Sequence, residues 1–356
     1  MKRISILLLV FCTCLALAAW PQLPAKHKIT KFNVPGAGTG AGQGTVGLGI
    51  VAGKSIMGWY IDSNGMAHGF LRSPAGKFTK FDPPGSQGTY SYGMNPSLAI
   101  TGYYADSAVV FHGFLRTPKG KITTFDAPGA GTGSHQGTEA NNINSKGRIV
   151  GFYTDSNDVR HGFLRTPKGK FTTFDAPGAG TGSHQGTVPA GFSGLTNAGA
   201  ITGSYKDSNN VWHGYLRDPK GTFAEFDPPG SVSTLTASIN PEDTTAGSYR
   251  DSSGAWHGFV RTSDGTITSF DAPNAPGGTY PANINPEGAI TGAYDDSNGA
   301  MHGFVRSPKG TFTEFDVRGA GTGSGQGTSP NTNNPAGWIT GNYVDSNGVN
   351  HGFLRQ

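Results

Sequence analysis

Charged residues are scarce in this chain: 27 Lys and Arg with 23 Asp and Glu make 14% of 356 residues, where about 25% is usual. So small a supply cannot coat the outward faces of several amphipathic helices, which argues against helical bundles and α/β folds. Cysteine is nearly absent too. Cys12 and Cys14 both lie in an apolar run that reads as a removable leader, so the remaining chain is left without disulfides and without thiol-based metal or nucleophile chemistry. Standard catalytic and nucleotide strings are also missing: no G-x-x-x-x-G-K-[ST], no H-E-x-x-H and no G-x-S-x-G. The Asp-Ser-Asn strings lack the spacing of an EF-hand loop. No metal site and no cofactor is expected.

The leader consists of Lys2 and Arg3, then apolar residues from Ile4 to Leu17, ending in Ala16-Leu17-Ala18. That pattern predicts a secretory signal peptide over 1–18, followed by a linker over 19–28 and one domain over 29–356. The run is shorter than the roughly 20 residues of a membrane span. The expectation is a protein secreted to the periplasm or beyond, with no span left after cleavage. Without Lys2 and Arg3 the balance is 25 basic to 23 acidic residues, and with no basic cluster, nucleic acid is not an expected partner.

What the chain does have is 57 Gly, 23 Pro and 11% aromatic residues. No Gly-x-y period runs through it, which excludes collagen, and the aromatic content argues against disorder. Short strands joined by tight turns suit this composition.

A block of the form G-x-Y-x-D-S-x-x-x-x-H-G-[FY]-[LV]-R occurs seven times, beginning at Gly58, Gly102, Gly151, Gly203, Gly247, Gly292 and Gly341. Its Asp and His are always six apart: Asp62 and His68, Asp106 and His112, Asp155 and His161, Asp207 and His213, Asp251 and His257, Asp296 and His302, Asp345 and His351. Thirteen residues after each of the first six His comes a Phe-Asp pair, and Phe32-Asn33 is a degenerate seventh copy. Successive His are 44, 49, 52, 44, 45 and 49 residues apart. The variation falls between Phe-Asp and the next Gly-x-Tyr, where a P-G-A-G-T-G-x-x-Q-G-T insert stands at Pro35 to Thr45, Pro128 to Thr138, Pro177 to Thr187 and, without its Pro, Gly319 to Thr328. This variable segment reads as a loop on one face.

Each repeat divides into four short strands, with Asp62-Ser-Asn-Gly65 as a hairpin turn of the Asn-Gly kind. Four strands in 40 to 50 residues is the size of a propeller blade. The first copy opens on a fourth strand, Ile29 to Val34, and the last stops on a third, His351 to Arg355. The reading is therefore an all-β fold, a seven-bladed β-propeller of four-stranded blades closed by the N-terminal strand joining the last blade, which removes two open edges.

The recurrent I-x-G-x-Y and H-x-F-L-R strings over roughly 29 to 355 resemble the bacterial extracellular HAF repeat family, named for a His-Ala-Phe tripeptide. This chain has Gly in the middle of all seven tripeptides, as in His68-Gly-Phe70. The resemblance implies an exported repeat protein, a propeller, with no activity assigned.

The seven Asp and His pairs read as structural fasteners, each carboxylate accepting from an imidazole N–H and from turn amides. Paired aromatics such as Tyr60 and Phe70, or Tyr153 and Phe163, read as core, with Gly58 and Gly69 leaving room for the neighbouring blade's rings. A specific site should break the seven-fold symmetry. Trp59, Trp212, Trp256 and Trp338 do so, as do His135 and His184 in two consecutive inserts. The candidate ligand-binding residues are His135, Gln136, Glu139, His184, Gln185 and Gln326, which could border a groove for a polar ligand such as a glycan. The inserts could equally be plain Gly-rich turns. A His and a Glu on one propeller face also invite a fold-level comparison with streptogramin lyases, although no string matches them. Two functions stay open. The leading one is a monomeric, non-catalytic binding or scaffold module for a glycan or an extracellular protein; the other is a lyase or hydrolase acting on a polar or glycan substrate at one face.

Overall fold

Strand β1, Ile29–Phe32, is followed by β2 (Gly44–Ile50), β3 (Ile56–Ile61), β4 (Ala67–Arg72) and β5 (Phe78–Phe81), and these last four pair antiparallel in chain order. The computed structural model describes residues 27–191 and 193–356; the leader expected over 1–18 and most of the linker expected over 19–28 lie outside them. Among the described residues the four-strand unit recurs to a total of 28 strands, a number that corresponds to seven units of four. The seventh unit contains only three strands in sequence. Beside its last strand, Asn350–Arg355, lies β1, with Ile29 opposite Arg355 and Phe32 opposite Gly352.

The local rules are those of hairpins. At the turn after β3, Asp62 Oδ1 accepts from the amides of Asn64 at 2.8 Å and Met66 at 2.9 Å, while Gly65 at φ 84° supplies the left-handed residue the turn needs. Across β3 and β4, Gly58 stands opposite Phe70, and across β4 and β5, Gly69 stands opposite Phe81. A Cβ at Gly58 would overlap the Val46 carbonyl oxygen, and one at Gly69 the Phe81 ring. Both glycines therefore admit a ring of their own unit, not of the neighbouring one as expected. Directly opposed residues are only about 5 Å apart, closer than two packed sheets. The third-strand rings Phe70, Phe114, Phe163, Tyr215, Phe259, Phe304 and Phe353 are fully buried and form the centre of each unit.

Three devices join one unit to the next. The Arg ending each third strand lies over the fourth-strand Phe of the unit before, from Arg72 over Phe32 at 5.0 Å to Arg355 over Phe315 at 4.7 Å, a cation–π contact. Buried Asn residues at the ends of the first strands reach across to the next unit: Asn95 Nδ2 donates to the Asn144 carbonyl at 3.2 Å, Asn144 to Thr196 at 3.0 Å, Asn285 to Asn334 at 3.2 Å, and Asn334 to Val51 at 3.2 Å. The Gly-rich inserts are the third device. Each ends in a Gly that bridges in parallel to the third strand of the preceding unit: Gly44 with Asn350, Gly137 with Phe111, Gly186 with Arg160 and Gly327 with Met301. The variable segments are stitches between units, a role their Gly content permits because a Cβ at each of these positions would overlap the bridged carbonyl.

Candidate functional site

The geometry of the repeated polar residues decides what is left for chemistry. In six units the His ring is bracketed by two carboxylates. His68 Nδ1 is 2.8 Å from Asp82 Oδ2 and its Nε2 is 3.6 Å from Asp62 Oδ2; His112, His161, His213, His257 and His302 sit likewise between Asp106 and Asp126, Asp155 and Asp175, Asp207 and Asp227, Asp251 and Asp271, and Asp296 and Asp316. The last ring, His351, has Asp345 at 3.2 Å on one side and Asn33 Oδ1 at 3.1 Å on the other. A carboxylate only accepts, so in the six bracketed rings the shorter contact makes Nδ1 the donor to the Phe-Asp carboxylate, whereas in His351 the carboxylate stands at Nε2. The shorter contact is to the Phe-Asp carboxylate, a partner the spacing of six did not suggest. Each ring also stacks on the Tyr of its block, His68 on Tyr60 at 5.0 Å. The hydrogen bond that His161 donates to Asp175 raises the His161 pKa, and in His257 and His302 the carboxylates outweigh the opposing effect of burial. The Met66 amide, first among the donors around it, lowers the pKa of Asp62. These are clasps. Among the described residues, no group of three or more His, Cys, Asp or Glu is placed to hold a metal ion.

The candidate residues of the inserts are occupied as well. Gln136 Oε1 accepts from the Gly133 amide at 2.9 Å while its Nε2 donates to Asp158 at 2.9 Å. Gln185 binds the Gly182 amide and the Ser208 carbonyl, and Gln326 the Gly323 amide and the Ser346 carbonyl. Both ends of each amide are spent, one inside the stitch and one on the Asp-Ser hairpin turn of the unit that follows it. His135 and His184 are exposed at φ 63° and 61°, in the left-handed position that Gly42 and Gly325 fill in the other inserts. Their amides donate to Val109 and Asp158 respectively. The His135 ring meets Ser134 Oγ at 2.9 Å and the edge of Phe111 at 6.0 Å. The two histidines stand in different stitches and share no partner.

Glu139 is elsewhere. It belongs to the first strand of the third unit, Gly137–Ile143, and lines a cavity of about 260 Å³ together with Tyr92, Asn141, Phe152, Ser204 and Trp212. These residues come from the second, third and fourth units. Burial pushes the Glu139 carboxyl up to about 7, opposed in part by Arg160, whose guanidinium lies 5.9 Å from the centre of the Phe152 ring. Behind Tyr92, the rings of Tyr90 and Tyr103 stack at 5.2 Å, Tyr92 and Tyr103 at 5.6 Å, and Trp59 meets Tyr90 edge-on at 5.6 Å. A second cavity of about 500 Å³ is lined by Tyr280, Asp295, Met301, Ser329, Pro330 and Asn331. Gly191 and Thr236 line both cavities, so the two adjoin as neighbouring parts of a hollow, with Tyr92, Phe152 and Trp212 lining the first part and Tyr280, Asp295 and Met301 the second.

Asymmetry of this kind is readable in the odd tryptophans and at one further place. The middle residue of G-x-Y is Trp59, Tyr103 and Phe152 in the first three units but Ser204, Ser248, Ala293 and Asn342 in the rest. A search for odd His and acidic residues passes over it. Of the four odd tryptophans, Trp212 lines the cavity, Trp59 backs its wall, Trp256 packs on Tyr280 at 6.3 Å, and Trp338 carries Lys54 over its ring at 4.1 Å.

No family model and no curated protein matches this sequence. Solved structures do resemble it. A virginiamycin B lyase from Staphylococcus aureus is 15% identical with a TM-score of 0.61, over 93% of this chain and 100% of that one. A streptogramin B lyase is 16% identical with a TM-score of 0.60, over 92% and 97%. The BP39L lectin from Burkholderia pseudomallei is 13% identical with a TM-score of 0.55, over 86% and 93%. At such identities the likeness concerns the fold alone, and that fold is a β-propeller.

Proposed function

We propose that the seven units close into a seven-bladed ring and that this protein, exported after loss of its leader, is a non-catalytic binding module that takes a glycan in the hollow beside Glu139. Closure is supported by β1 on the last strand, by the Gly44 and Asn350 bridge, and by Asn334 donating to Val51, all of which join the ends of the chain. Export and the H-G-[FY]-[LV]-R strings agree with membership among the HAF repeat proteins. The glycan reading rests on one observation. Phe152 and Trp212 line the cavity beside Glu139, Asn141 and Ser204, and aromatic residues next to hydrogen-bonding groups match the two kinds of surface on a pyranose. A glycan array on the purified protein tests it, with Trp212→Ala as control. Binding that falls about tenfold or more in the variant is the expected result, since a lost aromatic platform of this kind is worth over 1 kcal/mol. An array without hits overturns the reading.

One observation favours a propeller-borne lyase or hydrolase instead: a carboxyl held near neutrality can take or give a proton at physiological pH. Mass spectrometry of an array-positive oligosaccharide after incubation with the protein distinguishes the two. Intact ligand is expected; cleavage that disappears in Glu139→Gln would establish the enzyme.

A further inference from the structure

We propose that the ligand of this hollow carries free amino groups: an oligosaccharide of amino sugars, with one ammonium placed at Glu139 and a second at Asp295. The inference rests on the glycan-binding reading above and names its substrate class. Its starting point is the charge inventory of the hollow. Each of its two cavities has one carboxylate, Glu139 beside Tyr92, Phe152 and Trp212, and Asp295 beside Tyr280, Met301 and Ser329. Every ion pair among the described residues belongs to a His clasp, so neither of these carboxylates is in one. Around Glu139 the charged neighbour is Arg160, whose guanidinium is drawn over Phe152. Around Asp295 are Asp296, which repels it, His302, and the Tyr280 hydroxyl. In both cases burial prevails and raises the carboxyl pKa, that of Glu139 to about 7.

Two partly buried acids outside any ion pair, in adjoining cavities, call for positive charge from the ligand, because a carboxylate drawn partly out of water regains most when a cation is brought to it. The aromatic wall adds to the same preference, since ammonium groups are attracted to the faces of Trp, Tyr and Phe. A thin polyamine would meet the charge but not the space. Cavities of about 260 and 500 Å³ have room for sugar rings, and Asn141, Ser204, Ser329 and Asn331 supply partners for ring hydroxyls. The common lining at Gly191 and Thr236 lets one oligosaccharide reach both acids.

The test is calorimetric titration of the purified protein at pH 6 with three tetrasaccharides: fully deacetylated glucosamine tetramer, its N-acetylated counterpart and a neutral glucose tetramer. The amine form is expected to bind about tenfold tighter than either of the others, the usual worth of one charged hydrogen bond. Glu139→Gln and Asp295→Asn should each lower affinity for the amine form more than for the N-acetylated form, so that the ratio of the two falls by most of the tenfold. A readout that needs no variant is the proton balance. In two buffers of different ionisation enthalpy, amine binding should release protons, because Glu139 gives up its proton as the ammonium arrives. Equal affinity for all three sugars, preference kept in both variants, or no proton release overturns the amine inference and leaves the glycan reading standing. Binding by none of the three, together with an array without hits, removes both.

Discussion

Glu139 shows how far a residue's neighbours in sequence can mislead. It follows the Gly-Ser-His-Gln-Gly-Thr insert directly, so sequence groups it with His135, and that histidine proves to be a Gly-like position in a stitch. Side chains alternate along a strand, and Glu139 is paired across to Phe152 while Tyr92 and Trp212 come from other units. No local pattern brings residues so distant in sequence together, and only the odd tryptophans such as Trp212 and the odd middle residues of G-x-Y hinted at the wall. The position carries a stability signature. The folded pKa of about 7 lies above the unfolded value of about 4.3, so the folded state holds the proton more tightly. Its contribution is complete below the unfolded value and is lost as pH rises through about 7. Glu139→Gln cannot ionise. The variant should therefore melt a few degrees above the parent at pH 8 and within about a degree of it at pH 4.5, a few degrees being what about 1 kcal/mol gives in a domain of this size. A thermal scan at the two pH values checks this, and an equal offset at both would mean that the carboxyl titrates normally.

At the scale of the element, the hairpin clasps give the repeat its own pH window. The raised His161, His257 and His302 values mean stability that is full below the unfolded His value of about 6.5 and lost as pH rises through the folded ones. The lowered values of Asp62, Asp106 and Asp296 mean stability present above about 3.9 and lost as pH falls. Both are in place between roughly pH 4 and 6.5, where the melting temperature should peak. His161→Gln, whose amide can still donate to Asp175 but does not titrate, should lessen the decline above pH 6.5; an unchanged slope would exclude the clasp as its source. Strand positions, turn residues and the constant offset of six were all legible in the sequence because they are local and repeat in register. The Asn chain between units was not, although Asn95-Pro96, Asn240-Pro241, Asn285-Pro286 and Asn334-Pro335 recur, because its partners lie a whole unit away. Asn144 shows the stake: its Oδ1 accepts from the Lys146 and Arg148 amides while its Nδ2 reaches Thr196. Asn144→Ala frees the turn amides of its own unit and orphans the buried Thr196 carbonyl of the next, and should cost about 1–3 kcal/mol, measurable by denaturant titration.

For the whole molecule the decisive contacts are those between its ends. A chain of equivalent units has two open sheet edges unless the last meets the first, and an open edge invites pairing with other chains. Here β1 occupies the fourth place in the last unit. It also brings Phe32, which packs edge-on against Phe70 at 6.3 Å and lies beneath Arg72 at 5.0 Å, both residues of the first unit. Phe32 is thus a strand residue of one end and a core residue of the other. Deleting residues 29–34 would bare the edge of the last strand, empty the place of a buried Phe and a buried Val34, and leave Arg72 without its ring. Burial of two such side chains alone is worth roughly 3–6 kcal/mol, so the melting temperature should fall by at least about 5 °C, and the exposed edge should make the truncated protein self-associate at concentrations where the parent does not. If instead only the outer edge of one unit depended on β1, the truncated protein would melt in two steps, a partial loss followed by the parent's transition. A single cooperative transition at lower temperature is the outcome that a closed ring requires, and differential scanning calorimetry with light scattering separates the two.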